Sequence, residues 1–555
     1  MINSKWMYIL RLLLSVTVPI AATFFLVSCF SFNGCKLTYT VSEPSPEEMR
    51  LKVLLEISDV KNLGETVYLT TQNINIADIE VICENETIAY VVENGTLSFA
   101  PTKRSANVNY SIKLGTEGKH GKNGVCFPDL VTFSGDQAFI LPEQLVDADN
   151  NQISRLVGQI YVYYDMPFQT RIIPFEQDGS TIINKPGWIE VYDFSKNAYV
   201  FGDFSEFPLD TGSIFVEGSD SLDGGILRKI NVLLNEYKRL YGESPDNTDI
   251  VMLRSDREAI LGGAGIRTIC STFDSDSPRD WQLLSHRLGH AFFDNSVELR
   301  SFHIEPSLWF YEGLITYYET VTMGLIGYDP GALFSEIAGR YYYMRLKDPL
   351  LLSVAPMNEK KLILSGQKEF LHYTYAPLIL KSLNDELPQQ DGVLSFILAN
   401  RENKNMDVNY VFRNLNDFQN SKLVKDCVYN SVVMNVGFTG TISDAQMLQA
   451  LRDYEELLWT WFSLDFENYP LDRIDADLIS QTVAEAQRRG LLFADEGTMR
   501  YIKSFSEIVY DLLMEYALRA DVCNVSFDDV ELRYELLGDG LNIQIWEEFI
   551  SELNL

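Results

Sequence analysis

The sequence predicts a multidomain α+β protein with a β-rich N-terminal domain, a central domain of mixed helices and strands, and an α-helical C-terminal domain. Three observations predict it. Residues 36–205 are runs of β-branched and aromatic residues broken by Gly, Asn and Asp clusters. Near residue 220 the apolar period lengthens to that of a helix, and helical and strand segments then alternate. From about residue 325 helical spacing dominates. The 555 residues suffice for about three domains. The expected divisions are a signal peptide at 1–28, the β domain at 29–205, the central domain at 206–420 and the helical domain at 421–555.

Each element follows from local pattern. Residues 51–57 and 159–164 read as strands, and Glu93-Asn94-Gly95 and the Asp/Asn cluster at 147–151 read as turns. This suggests an all-β N-terminal domain that packs or shapes rather than catalyses. Residues 226–241 place Leu227, Ile230, Leu233, Leu234 and Tyr237 on one helical face, and Gly242 closes the helix. Residues 249–253 read as a strand, Gly262-Gly263-Ala264-Gly265 as a turn, and 268–273 as an edge strand. Helices are expected at 281–293 and 306–320, and amphipathic ones at 446–462 and 481–491. No internal repeat or low-complexity segment is evident.

Composition narrows the function. Hydrophobic residues make up 46% and charged residues 22%, as in a globular protein. The net charge of −33 argues against nucleic acid, whose phosphates need clustered Lys and Arg. The acidity is spread along the chain and reads as a solvated surface. Lys5 and Arg11 precede an apolar run at 12–27, too short for a comfortable membrane-spanning helix. The run ends in Leu26-Val27-Ser28-Cys29, which resembles the bacterial lipobox. That resemblance implies cleavage before Cys29, its lipidation, and an exported domain held on a bacterial membrane. Removing Cys29 leaves six scattered cysteines without C-x-x-C, which argues against a zinc ribbon or a small disulfide framework. A Cys83–Cys126 bridge is compatible with export.

The chemistry-bearing pattern is His286-Arg287-Leu288-Gly289-His290 followed by Trp309-Phe310-Tyr311-Glu312-Gly313. Two His at i and i+4 share one helix face and can bind one metal ion. A glutamate on a second helix can supply a third ligand and leave a fourth position open. The chain has only five His, so the pair is suggestive, although such pairs on an apolar face are often packed core.

These residues resemble the gluzincin zinc metallopeptidases, chiefly the membrane alanyl aminopeptidase and glycyl aminopeptidase families. The resemblance rests on four features in the families' order: Leu233-Leu234-Asn235-Glu236-Tyr237 with the strand at Ile250; Gly262-Gly263-Ala264-Gly265-Ile266; His286, His290 and Glu312; and Tyr373-Thr374-Tyr375-Ala376-Pro377-Leu378. It covers about residues 220–420 and implies a thermolysin-like central domain. It implies zinc on His286, His290 and Glu312, with Glu319 orienting a ligating His and Tyr373 stabilising the oxyanion. Glu319 lies seven residues past Glu312, two turns along one face.

The departures matter as much. Arg287 stands where the families carry the general base, and a guanidinium cannot accept that proton. Losing the base costs about 10²- to 10⁴-fold. A cation about 5 Å from the metal would oppose its binding by at most about 6–7 kcal/mol at an effective dielectric of about 20. Pairing of Arg287 with a carboxylate would offset that repulsion. Gly265 stands where the aminopeptidases carry the acid that holds a free amino terminus, so exopeptidase specificity lacks its residue. The 21 residues 291–311 between the second His and the Glu exceed the aminopeptidase spacing by three, which a longer loop absorbs. Asp294, Glu298 and Glu305 are the candidate substitute bases.

The expected function is therefore an exported, lipid-anchored, metallopeptidase-type protein that binds a peptide or protein ligand, with zinc as the implied cofactor and weak or absent hydrolysis. The alternatives are a working zinc peptidase with a substitute base and a structural or adhesive surface lipoprotein.

Overall fold

The computed structural model describes residues 34–60, 63–118, 121–147, 150–218, 221–347, 368, 370–387 and 391–419. The signal peptide at 1–28, Cys29, the helices expected at 446–462 and 481–491, and the domain expected at 421–555 lie outside these residues. The chain divides into two compact units, one of residues 1–234 with 243–295, the other of 235–242 with 296–555.

The first unit is built on sheets. An eight-stranded sheet has Cys35–Ser45 near its middle, antiparallel to Arg50–Ser58 and parallel to Val157–Asp165. Strict alternation in Arg50–Ser58 buries Leu51, Val53, Leu55 and Ile57 and exposes Lys52 and Glu56. The expected strands at 51–57 and 159–164 thus fall inside observed ones. The domain is β-rich rather than all-β, because a nine-residue helix, Trp188–Lys196, packs among the sheets. Phe139 stacks on Phe194 of that helix with ring centroids 4.8 Å apart, and Phe133 stacks on Tyr199 at 5.3 Å. Each such buried ring contributes about 1.5–3 kcal/mol by leaving water. Cys83 and Cys126 are buried free thiols, so the conceivable bridge between them is absent.

A seven-stranded sheet in the same unit sets up the site. Gly212–Glu217, Asp249–Leu253 and Thr268–Thr272 run parallel, and Ile260–Ala264 runs antiparallel to Thr268–Thr272. The helix Gly224–Tyr241 connects the first two, a crossover with its apolar stripe inward. Two expectations need correction. Residues 262–264 are strand, not turn: Gly262 sits at an irregularity between Leu261 and Gly263. A Cβ at Gly262 would lie 2.4 Å from Thr132 Oγ1, so the strand approaches its neighbour as only glycine permits. Thr268–Thr272 is interior rather than an edge, because Ile260–Ala264 covers its far side.

The described part of the second unit is helical. Leu308–Met323, Pro330–Lys347, Ala376–Glu386, Gly392–Ala399 and Val408–Gln419 are its main helices. Leu308–Met323 is apolar almost all round and buried accordingly. Among the described residues, no helix is long and apolar enough to cross a membrane.

Candidate metal centre

The histidine helix, Pro278–Val297, starts where its sequence says it should. Ser277 Oγ accepts from the Asp280 backbone N–H at 3.3 Å, and Pro278 follows as the first helical residue. Trp281, fully buried, donates its indole N–H to the Ser275 carbonyl at 2.9 Å and fixes the entry of the chain. The helix therefore follows the strand Thr268–Thr272 after five residues, with its register locked.

That register brings His286 and His290 together. Their Nε2 atoms are 3.0 Å apart, with ring centroids 4.6 Å apart and planes at 81°. A tetrahedral metal about 2.0–2.1 Å from each nitrogen would hold them about 3.3 Å apart. Both rings are half-buried while Ser285, Arg287, Leu288 and Gly289 are buried. Glu312 and Glu319 are the charged residues of the glutamate helix, Leu308–Met323, and the half-buried positions in an otherwise buried run from Tyr311 to Thr320. His286 and His290 belong to the first unit and Glu312 to the second, and each offers one atom that could hold a metal ion. Two imidazoles and a carboxylate are the donor set of a catalytic zinc with an open fourth position, so the residues present fit that ion.

Arg287 turns the other way. It is 4% exposed, and its Nη1 donates to the Cys270 backbone carbonyl at 3.0 Å. The carboxylate partner that would have neutralised it is absent among the described residues; a main-chain oxygen on the adjacent strand takes its place. Burial pushes its guanidinium down to about 10, which still leaves it protonated at neutral pH. The same burial pushes the Cys270 thiol up to about 12, so no thiolate offsets the charge.

Gly265 is as informative. A Cβ there would meet Asn197 Oδ1 at 2.4 Å and Asp193 Oδ1 at 2.6 Å. No side chain of any kind fits, so this position cannot present an acid. The space is filled by a network the sequence reading missed. Asp193 accepts from the Ile266 N–H at 2.6 Å, and Asn197 Oδ1 accepts from the N–H groups of Arg267 and Thr268. Asp193 and Asn197 lie four apart on one side of a helix end, a visible pattern. Their partners lie about seventy residues on, which local pattern cannot reveal.

Tyr373 sits in a five-residue π turn, Leu371–Tyr375, that runs into the helix Ala376–Glu386. The segment was expected to open a helix; instead the helix continues through it. Pro377 lacks an N–H and would crowd the carbonyl four residues back, and the wider turn relieves this. Among the candidate bases, Asp294 is buried, Glu298 is exposed with φ 50°, and Glu305 binds Lys368 Nζ at 2.6 Å. Only the last arrangement argues against a role as base. His303 packs on Tyr311 and His372 is core.

No protein-family model and no curated protein matches the chain. Among solved structures, it is similar to an aminopeptidase N family protein from Idiomarina loihiensis, with a TM-score of 0.56 and 12% identity over 74% of this chain and 78% of that one. It also matches an M1 zinc metallopeptidase from Deinococcus radiodurans, with a TM-score of 0.41 and 16% identity over 72% and 94%. The first likeness shows a shared fold. The second is too distant to add to it.

Proposed function

We propose that this chain is an exported lipoprotein, anchored to a bacterial membrane through Cys29, whose metallopeptidase-type domain binds a peptide or protein ligand and hydrolyses it weakly or not at all. His286, His290 and Glu312 would hold zinc, Glu319 would orient a ligating imidazole, and Tyr373 would donate to an oxyanion. Bound zinc would supply a Lewis acid and an acidified water. This chain's own residues would fix the peptide but offer no proton acceptor at position 287.

The observation that carries the reading is the Arg287 side chain. It is fully enclosed, cationic and committed to the Cys270 carbonyl, so it is built into the fold rather than held beside the histidine pair as a reacting group. The missing acid at Gly265 argues further against an aminopeptidase.

Metal analysis of the purified full chain, followed by peptidase assays on mixed peptides with a chelator control, tests this. Bound zinc, chelator-sensitive peptide binding and little hydrolysis are expected. Arg287→Glu should raise chelator-sensitive hydrolysis by about 10² or more if the remaining site is intact. Brisk hydrolysis by the native chain would overturn the inactive reading. A folded chain that takes up no zinc would remove the metal from it.

A further inference from the structure

A cavity in the first unit shares no residue with the histidine site. Its volume is about 370 Å³, within the range of small-molecule sites. Its lining carries both charges. Arg171 and Arg267 supply two guanidiniums, and Glu176 and Asp249 supply two carboxylates. Ile182 and Phe215 are among its apolar lining residues.

Arg267 is held for presentation. Its guanidinium lies over the Phe175 ring, 4.3 Å from the centroid. Asp193 Oδ2 lies 3.3 Å from its Nε, and its two terminal nitrogens donate no hydrogen bond among the described residues. Phe175 adopts φ 56°, a left-handed backbone that a bulky residue rarely accepts. The hydrogen bond from Ile182 N–H to the Phe175 carbonyl, 3.1 Å long, keeps that conformation in place. Strain of this kind persists where surrounding structure fixes a residue, often at a ligand clamp. Arg171 is exposed and makes no ion pair among the described residues.

The acidic side is also incompletely satisfied. Asp249 Oδ1 accepts one hydrogen bond from Ser213 N–H, and Oδ2 one long contact of 3.4 Å from Asn247. Each oxygen retains capacity for a further donor. Glu176 is exposed and has no side-chain partner among the described residues. A polyanion would be repelled by the two carboxylates, and a simple cation by the two guanidiniums. A molecule carrying both charges satisfies the whole lining.

We infer that this cavity binds a free amino-acid-sized zwitterion with an apolar side chain, its carboxylate on Arg171 and Arg267 and its ammonium on Glu176 and Asp249. The inference does not depend on zinc or on the reading proposed for the histidine site.

Calorimetric titration of the full chain with L-leucine tests it, with and without a chelator. Saturable binding that survives the chelator is expected. N-acetyl-L-leucine and L-leucinamide, each lacking one charge, should bind about tenfold more weakly or worse, as should Arg171→Ala and Glu176→Gln. Both substitutions fall on exposed side chains, so folding should be unaffected. No saturable binding would overturn the inference. So would equal affinity of leucine and its blocked forms, or binding unchanged in both variants. Binding lost with the chelator would move leucine to the histidine pair and also overturn it.

Discussion

Arg287 decides more than any other side chain. A buried guanidinium with a single carbonyl acceptor has little to offset its desolvation, and its charge is one helical residue from His286. Its effect on a nearby divalent ion is repulsive. Arg287→Met keeps the stem volume and removes the charge. Zinc affinity should then rise by about tenfold or more, since about 1.4 kcal/mol of relieved repulsion suffices. Competition against a zinc indicator measures it. An unchanged affinity would mean that the guanidinium's field does not reach the histidine pair. His286→Ala should act in the opposite direction and weaken zinc binding by at least about 100-fold, because it removes a donor outright.

At the scale of elements, two close approaches fix the elements near the candidate site residues. Gly313 follows Glu312 in the glutamate helix, and a Cβ there would lie 2.3 Å from Ala376 Cβ and 3.2 Å from its backbone. Gly313→Ala should force the helices Leu308–Met323 and Ala376–Glu386 apart and destabilise by about 1–3 kcal/mol, read from denaturant unfolding. The second approach is the Asp193–Asn197 network under Gly265. Burial pushes the Asp193 carboxyl up to about 7 from 3.8, against the pull of Arg267. Between those values the folded chain binds more protons than the unfolded one. The stability from this group is therefore full below about pH 3.8 and is lost as pH rises towards 7. Asp193→Asn keeps an acceptor for the Ile266 N–H and removes the titration. Its melting temperature should vary less between pH 4 and 7 than that of the native chain. An equally steep profile would assign the pH dependence to another group.

For the whole molecule, the proposed anchor would set where the chain acts. The proposal that Cys29 is lipidated makes the cysteine thiol, not an apolar helix, the membrane attachment. Cys29→Ser should abolish incorporation of labelled fatty acid and move the chain from the membrane to the soluble fraction of an expressing bacterium. Retention of the variant in the membrane fraction would mean that the apolar run at 12–27 anchors the chain uncleaved. The net charge of −33 should meanwhile keep the chain dispersed and away from nucleic acid.

The sequence by itself determined what depends on local spacing. The i, i+4 histidines, the glutamate helix and the strand at Asp249–Leu253 are legible because helix and strand periods are short and are written directly into residue order. It also put Arg287 and Gly265 where the resemblance expects acids. Tertiary structure alone decided where those replacements point. Arg287 finds an acceptor seventeen residues back, Gly265 leaves room for side chains about seventy residues back, and residues 262–264 of the expected turn become strand because a neighbouring strand pairs with them. Such partners are chosen by packing and by the need to satisfy buried polar groups, and neither leaves a periodic trace in the chain.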